Sequence, residues 1–267
     1  MKVKAHLMLQ GFQMAVAFLT VFPSKNGVWK ESAARFSIFF FPVCGLFIGA
    51  AAVFVIYVLL APFALPDYII AFFIVAALLV MHGGLHLDGW MDVSDAAASW
   101  QSKEKKLEIM KDSRTGSAAV WTTVLLLGGR FLFVLFVLQT DVLAAWFLLI
   151  LIPVLTRTAM GHLIIAAPLA KNNGLASWFR KESKKYDTWI VIFICALLIS
   201  FLFILQSDFL AAGLFITAIV IVVYWLARYL FFSMFGGING DMAGALCEGM
   251  ETVIWLSSAL YISYVMV

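Results

Sequence analysis

Long apolar runs alternate with short polar connections along the chain, and seven of these runs predict transmembrane helices. A helix needs about 20 mostly apolar residues to cross a bilayer, and only the seventh run falls clearly short of that length. The runs cover residues 36–62, 68–86, 117–138, 142–168, 188–206, 209–232 and 253–267. This pattern predicts an all-α fold, a polytopic integral membrane bundle that forms a single domain over residues 1–267.

The composition supports a membrane protein. Hydrophobic residues make up 64% of the chain and charged residues 12%, and the mean hydropathy is +1.03, whereas soluble domains carry roughly 25% charged residues. Cys44, Cys195 and Cys247 lie within or beside apolar segments without CxxC spacing, which favours small buried hydrophobes over disulfides or zinc ligands. No basic face with interleaved aromatic residues lies outside the spans, so we expect no nucleic-acid partner.

The first residues resemble a signal peptide, because Lys2 and Lys4 precede an apolar run over residues 7–22. Gln10 and Gln13 interrupt that run. An uncleaved N-terminal helix, interfacial or re-entrant, is therefore the preferred interpretation.

Basic residues predict the orientation of the bundle. Fifteen of the 18 lie in three connections, five in each. The connections on the other side, near Pro66, Thr140 and Ser207, contain no Lys or Arg. The positive-inside rule then predicts a multi-pass protein of the cytoplasmic (inner) membrane, with the basic connections in the cytoplasm and the carboxy terminus outside. The three basic connections are residues 1–35, 87–116 and 169–187.

The segment 82–95 carries the strongest chemical signal. Asp88 and Asp92 are four residues apart and Asp95 is three further on, so a helix places all three acids on one face. Their mutual repulsion favours a bound cation, and carboxylates suit Mg²⁺. We predict Asp88, Asp92 and Asp95 as metal ligands, with Asp92 also catalytic. The alternative is three solvated acids at the membrane surface.

Two histidines lie beside these acids. His82 and His86 have a spacing that could serve zinc, but the sequence nearby offers no third nitrogen or sulfur ligand. We therefore interpret His86 as a catalytic group that handles protons or supports the metal ligands. The role of His82 stays open.

A second motif, residues 111–116, joins two basic side chains to a hydroxyl and a glycine. Lys111, Ser113 and Arg114 can hold phosphate oxygens, and an arginine can grip two of them at once. The alternative is that these bases only obey the positive-inside rule. We predict all three as substrate-binding residues.

The third motif, residues 236–248, begins with two glycines. Asp241 and Glu248 are seven residues apart, on one helix face with small residues between them. This arrangement favours a second metal or substrate site, and we predict both acids as catalytic; the alternative is a helix-packing interface.

Arginines inside the spans need partners. Arg157 requires an anion, which could be one of these acids or a substrate phosphate, and we predict it as substrate-binding. Arg130 and Arg228 are interpreted as structural or snorkelling. Acids, bases and one membrane face together favour phosphoryl transfer.

These three motifs resemble those of the cobalamin synthase, or adenosylcobinamide-GDP ribazoletransferase, family. Residues 86–95 match its HLDG-x-x-D-x-x-D pattern, residues 111–116 match K-D-x-R-x-G, and residues 236–248 match G-G-x-x-G-D-x-x-G-A-x-x-E. The opening segment, residues 18–23, is also similar. Three positions differ from the family pattern: His82, Ala96 and Thr115.

The resemblance implies Mg²⁺-dependent transfer of the cobinamide phosphate from adenosylcobinamide-GDP to α-ribazole or its 5′-phosphate, with release of GMP. It implies that the acids of the first motif bind Mg²⁺, that Lys111 and Arg114 hold the diphosphate, and that Asp241 and Glu248 complete the site. The implied partners are both substrates and membrane lipid. A second copy of the chain and other corrinoid-pathway enzymes stay open as partners.

Two other classes fit parts of the pattern. A CDP-alcohol phosphotransferase or a prenyltransferase also handles a diphosphate with acids and Mg²⁺, but Gly89 is not followed by the x-x-A-R of the CDP-alcohol motif. A cation- or proton-coupled transporter would place its acids at mid-depth, whereas these lie at one face.

Overall fold

The structure, a computed structural model, describes residues 2–22, 29–60 and 63–265. Pro23 and Lys25 of the segments discussed above lie outside the described residues. The described part is helical and contains no β-strand. Its twelve α-helices are α1 (Lys2–Leu19), α2 (Glu31–Phe39), α3 (Phe41–Phe54), α4 (Asp67–Met81), α5 (Leu85–Ala98), α6 (Lys103–Ile109), α7 (Ser117–Thr140), α8 (Val142–Ala166), α9 (Leu175–Arg180), α10 (Asp187–Leu205), α11 (Leu210–Phe235) and α12 (Gly240–Val265).

The polytopic helical bundle is confirmed. Within the described ranges, five segments are long and apolar enough to cross a membrane, and α4 with α5 makes a sixth if that bent pair is one span. The seventh predicted span is the C-terminal part of α12, which is not among these segments although its 26 residues extend about 39 Å. The five segments are Phe41–Val58, Ser117–Thr140, Val142–Ala166, Asp187–Leu205 and Ser207–Phe235.

The second predicted span, residues 68–86, is broken. Helix α4 ends at Met81, and α5 leaves it at 90°. Gly83 and Gly84 form the corner with φ angles of 62° and 72°, a left-handed conformation that side chains with a Cβ rarely adopt. The corner assigns His82 to the end of α4, and His86 and the three acids to α5.

Helix α8 lies at the centre of the bundle and is mostly buried. It runs through Pro153 without a break, although proline removes the hydrogen bond to the carbonyl of Leu149. Helix α3 packs against this part of α8 through Gly45 and Gly49. A Cβ at Gly49 would lie 2.5 Å from the Leu149 oxygen, so glycine allows the two backbones to touch.

Helices α5 and α12 also pack backbone to backbone. A Cβ at Gly89 would lie 2.5 Å from the carbonyl oxygen of Asp241, and one at Gly244 would lie 3.1 Å from the Cα of His86. The glycines of the first and third motifs therefore contact the partner motif. This packing places the acids of α5 beside the beginning of α12.

The loops after α8 and before α12 are joined by backbone hydrogen bonds. Ala170 N donates to Ile238 O at 2.9 Å, and Ile238 N donates to Pro168 O at 2.8 Å. These bonds hold the basic connection that follows α8 against the beginning of α12.

Candidate active site

The acids of α5 share one face, as predicted. With about 100° between successive helical residues, Asp88, Asp92 and Asp95 fall within about 60° of one another, and His86 lies on the opposite side. Asp88 is exposed, and Asp92 and Asp95 are half-buried. They line a cavity of about 300 Å³ together with the loop that holds the second motif. The other lining residues are Met91, Met110, Lys111, Asp112, Ser113, Arg114, Thr115 and Ala119.

Asp95 holds the beginning of α7 against α5. Its Oδ2 accepts a hydrogen bond from Gly116 N at 2.6 Å, and its Oδ1 accepts one from Ala119 N at 2.7 Å. A carboxylate at a helix N-terminus satisfies amides that have no partner inside the helix. Both oxygens therefore have partners already, and the assignment of Asp95 as a metal ligand stays a prediction.

Arg114 lies at the mouth of the same cavity, held by Asp112. Its Nε donates to Asp112 Oδ1 at 3.0 Å, and its Nη2 donates to Oδ2 at 2.6 Å. These hydrogen bonds lower the pKa of the Asp112 carboxyl to about 2. The Arg114 side chain is 87% exposed, so its guanidinium fork is displayed toward solvent where an anion can reach it.

A second cavity of about 270 Å³ adjoins the first, and Lys111 borders both. Asp241 lies in its wall, and Asn239 donates from Nδ2 to Asp241 Oδ2 at 2.9 Å. Lys171, Asn173 and Asn239 also line this cavity, although none of them was predicted as a site residue. Lys171 and Asn173 could have been suspected from the polar turn between α8 and α9, whose sequence is Lys171-Asn172-Asn173-Gly174. The remaining lining residues are Leu107, Met110, Ala170, Gly174, Leu175 and Gly240.

Asp241 and Glu248 are on one face of α12 but at different depths. Asp241 is in the first turn of the helix. Glu248 lies seven residues deeper, which is about 10.5 Å along the axis, and it is fully buried. The structure therefore brings Asp241 to the acids of α5 and places Glu248 inside the bundle, where its catalytic role stays a prediction.

Glu248 and Glu251 belong to a buried ionic network. Arg130 donates from Nη2 to Glu248 Oε2 at 2.7 Å and from Nη1 to Glu251 Oε2 at 3.2 Å. Arg157 donates from Nη1 to the other oxygen of Glu251. Of the two partners considered for Arg157, the structure therefore contains a carboxylate, and contact with a substrate phosphate stays a prediction. The network ties α7, α8 and α12 together.

The two histidines also lie inside the bundle. The rings of His82 and His86 are stacked with centroids 4.7 Å apart, and His82 Nε2 is 3.2 Å from Glu248 Oε1. His86 is outside both cavities, so its proton-handling role stays a prediction.

The cavity acids suit a hard divalent cation. Asp88 and Asp92 offer only oxygen donors, which Mg²⁺ prefers. Across the described ranges, neither they nor Asp241 has a Lys, Arg or His nitrogen within 4.0 Å, whereas Glu248 and Glu251 do. Three acids near one another without such a partner leave negative charge that a cation would neutralise.

Comparison with known proteins identifies the chain. The family model described as cobalamin-5-phosphate synthase matches residues 11–259. The chain belongs to this family. It is accordingly a transferase of cobalamin biosynthesis with transmembrane helices. No solved structure matches it.

Individual relatives of the cobalamin-5-phosphate synthase family agree over almost their whole length. A Geobacillus sp. (strain WCH70) protein is 37% identical over 96% of this chain and 98% of its own. A Halalkalibacterium halodurans protein is 36% identical over 92% and 94%, and a Clostridium perfringens protein is 33% identical over 91% and 94%. Each of the three is named adenosylcobinamide-GDP ribazoletransferase.

Proposed function

We propose that this chain transfers the cobinamide phosphate of adenosylcobinamide-GDP to a ribose hydroxyl of α-ribazole or α-ribazole 5′-phosphate. The new phosphodiester forms as the bond to the guanosine phosphate breaks, and the hydroxyl proton is removed as GMP leaves. The observation that carries the proposal is that Lys111 borders two adjoining cavities, one walled by Asp88 and Asp92 and the other by Asp241.

We assign the donor diphosphate to the first cavity. Lys111 and Arg114 supply the positive charge there, and Ser113 supplies a hydroxyl. An arginine fork grips two phosphate oxygens at once and supports the negative charge that develops on the departing GMP. When donor binds, its phosphate competes with the Asp112 carboxylate for Arg114.

We assign the acceptor to the second cavity. Lys171 and Asn173 would contact its polar groups, and Asn239 keeps the carboxylate of Asp241 oriented. Asp241 and Asp92 are carboxylates beside the shared wall, so either could accept the hydroxyl proton. Lys111 lies where the two substrates would meet.

Asp88, Asp92 and Asp241 are the residues that would hold Mg²⁺, which, when bound, neutralises the diphosphate and its developing charge. Asp95 acts beside them by fixing α7 to α5. A bound cation would relieve the repulsion among the three acids, and Gly89 lets the backbones of α5 and α12 approach each other.

We further propose that both cavities open toward the cytoplasm. They are bounded by residues of the connections 87–116 and 169–187, which are rich in Lys and Arg, and such loops remain on the cytoplasmic side. The carboxy terminus would then lie outside the cytoplasmic membrane.

The test is turnover by the purified chain given adenosylcobinamide-GDP and α-ribazole, with Mg²⁺ or with excess EDTA. We expect GMP and a cobalamin product with Mg²⁺ and neither with EDTA. Failure to form product with Mg²⁺, in protein that is monodisperse and folded, would overturn the transfer. Equal product in EDTA would overturn only the metal requirement.

Variants locate the reaction. We expect Asp88→Asn and Asp92→Asn to lose turnover while remaining folded, and Asp67→Asn, in the first turn of α4 outside both cavities, to keep it. Full activity in both cavity variants would remove the acids from the reaction.

A further inference from the structure

A buried cluster of residues that could bind a metal ion lies inside the bundle. His82 at the end of α4, His86 in the first turn of α5 and Glu248 of α12 each offer one ligand atom, and these atoms lie within 4.8 Å of one another. The three residues are 4%, 1% and 0% exposed. None of them lines the two cavities of the proposed reaction, so the inference does not depend on that function.

Most polar atoms of this cluster lack a well-aligned hydrogen bond. Among the described residues, neither ring nitrogen of His82, neither ring nitrogen of His86, nor Glu248 Oε1 makes a well-aligned hydrogen bond, although His82 Nε2 approaches Glu248 Oε1 to 3.2 Å. Burying a polar atom without a partner costs free energy, so such atoms are rare in folded proteins. One atom from each residue lies within 4.8 Å of the other two, so the cluster is suited to a bound cation. His162 of α8, by contrast, has its Nδ1 2.6 Å from Tyr224 Oη.

The geometry is close to that of a zinc site. Zinc binds histidine nitrogen and carboxylate oxygen at about 2.0–2.2 Å in a tetrahedron, which puts neighbouring ligand atoms about 3.3 Å apart. His82 Nε2 and Glu248 Oε1 are 3.2 Å apart. Small side-chain movements would bring the third ligand atom to the same spacing.

The surrounding groups prepare the carboxylate for one metal bond. Arg130 donates to Glu248 Oε2, which orients the carboxylate and leaves Oε1 directed at the histidines. Glu251 balances Arg157. The buried acids of this network are therefore each paired with an arginine, and Glu248 is the anionic member of the cluster.

The ligand set selects the metal. Two imidazoles and one carboxylate suit zinc and neighbouring transition metals, whereas Mg²⁺ prefers oxygen ligands. The sequence alone does not indicate these three ligands together, because Glu248 belongs to α12, far along the chain from His82 and His86. The corner at Gly83 and Gly84 is what turns both rings toward it.

We propose that His82, His86 and Glu248 bind a zinc ion that ties the corner between α4 and α5 to α12. Such a bond would hold together the two helices that carry the acids of the reaction.

The experiment uses the full chain in detergent, stripped with a chelator and dialysed. Zn²⁺ is then titrated in excess Mg²⁺, and Co²⁺ serves as the optical probe for tetrahedral nitrogen and oxygen ligands. We expect about one zinc ion per chain that Mg²⁺ does not displace. His82→Ala and Glu248→Gln should weaken zinc binding by about 100-fold, the upper end of what loss of a supporting group costs a metal site. His162→Gln, the matched histidine control, and Asp88→Asn should keep it.

Absence of zinc binding in the wild-type chain, or unchanged binding in His82→Ala, would overturn the proposal. If the variants fail to fold, X-ray absorption of zinc bound to the wild-type chain decides the matter. Two imidazole ligands are expected there, and a shell without imidazole would overturn the site.

Discussion

Gly89 of α5 lies directly against the backbone of Asp241 at the beginning of α12. A Cβ at this glycine would lie 2.5 Å from the Asp241 carbonyl oxygen and 3.0 Å from its Cα. Because both neighbouring atoms are backbone, neither can rotate away. The separation between the acids of the two motifs is therefore set by the absence of a side chain at one position.

Replacing Gly89 with alanine should push α5 and α12 apart and lower turnover by about 100-fold, since a displacement of about 1 Å can cost that much. Steady-state rates in folded protein measure the effect. Gly128→Ala is the control, because a Cβ there meets nothing within 4 Å. Equal turnover in the two variants would contradict the role assigned to this contact.

Asp95→Ala should destabilise the protein by about 0.5–2 kcal/mol, because two amides at the beginning of α7 lose their acceptor. Asp141 caps α8 in a similar way, accepting from Ala144 N at 2.9 Å, so Asp141→Ala is the matched control for stability. Thermal unfolding and turnover are measured for both. We expect similar destabilisation but reduced activity only for Asp95→Ala. A fully stable, inactive Asp95→Ala would favour metal ligation over capping.

Arg114→Lys should raise the Michaelis constant for the donor by about 10–100-fold, because lysine loses one of two charge-assisted hydrogen bonds worth about 1.5–3 kcal/mol. Lys105→Ala, on the exposed surface of α6, is the control. The Michaelis constant for the acceptor should stay unchanged. An effect on the acceptor alone would place Arg114 at the other substrate.

Arg157→Met should destabilise the protein by about 3–5 kcal/mol, because it leaves Glu251 short of a partner in the interior. Adding Glu251→Gln should restore part of that stability. Thermal unfolding of both single variants and of the double variant measures the coupling. A double variant that is stable but unable to bind donor would assign Arg157 to the substrate phosphate instead.

Hydropathy closely predicted the bounds of the apolar helices whose faces are largely exposed. The predicted span 117–138 became Ser117–Thr140, and 188–206 became Asp187–Leu205. It predicted α12 poorly, because that helix is covered by protein and carries Asp241, Glu248 and Glu251. Residues that satisfy one another inside a bundle are not constrained to be apolar, so the first half of this helix resembled a connection.

The site was only partly accessible to sequence reasoning. Helical spacing placed Asp88 and Asp92 on one face, and the structure agrees. It could not show that the Asp95 carboxylate accepts hydrogen bonds from amides at the beginning of α7. Nor could it show that His86 lies on the side of α5 that faces α12. Both facts depend on contacts between segments distant in the chain. Lys171 was missed for the same reason. It reaches the second cavity because the backbone pairing of Ala170 with Ile238 brings its loop to the beginning of α12.

The ionic network of α12 also has a consequence for how the protein is inserted into the bilayer. An acid at the centre of an isolated transmembrane helix costs about 2.5–3.5 kcal/mol, and Glu248 and Glu251 would both bear that cost. Their partners, Arg130 and Arg157, belong to helices made earlier during synthesis. Helix α12 should therefore enter the membrane only after α7 and α8 have assembled. Arg130 and Arg157 would then pair with its two acids as it inserts.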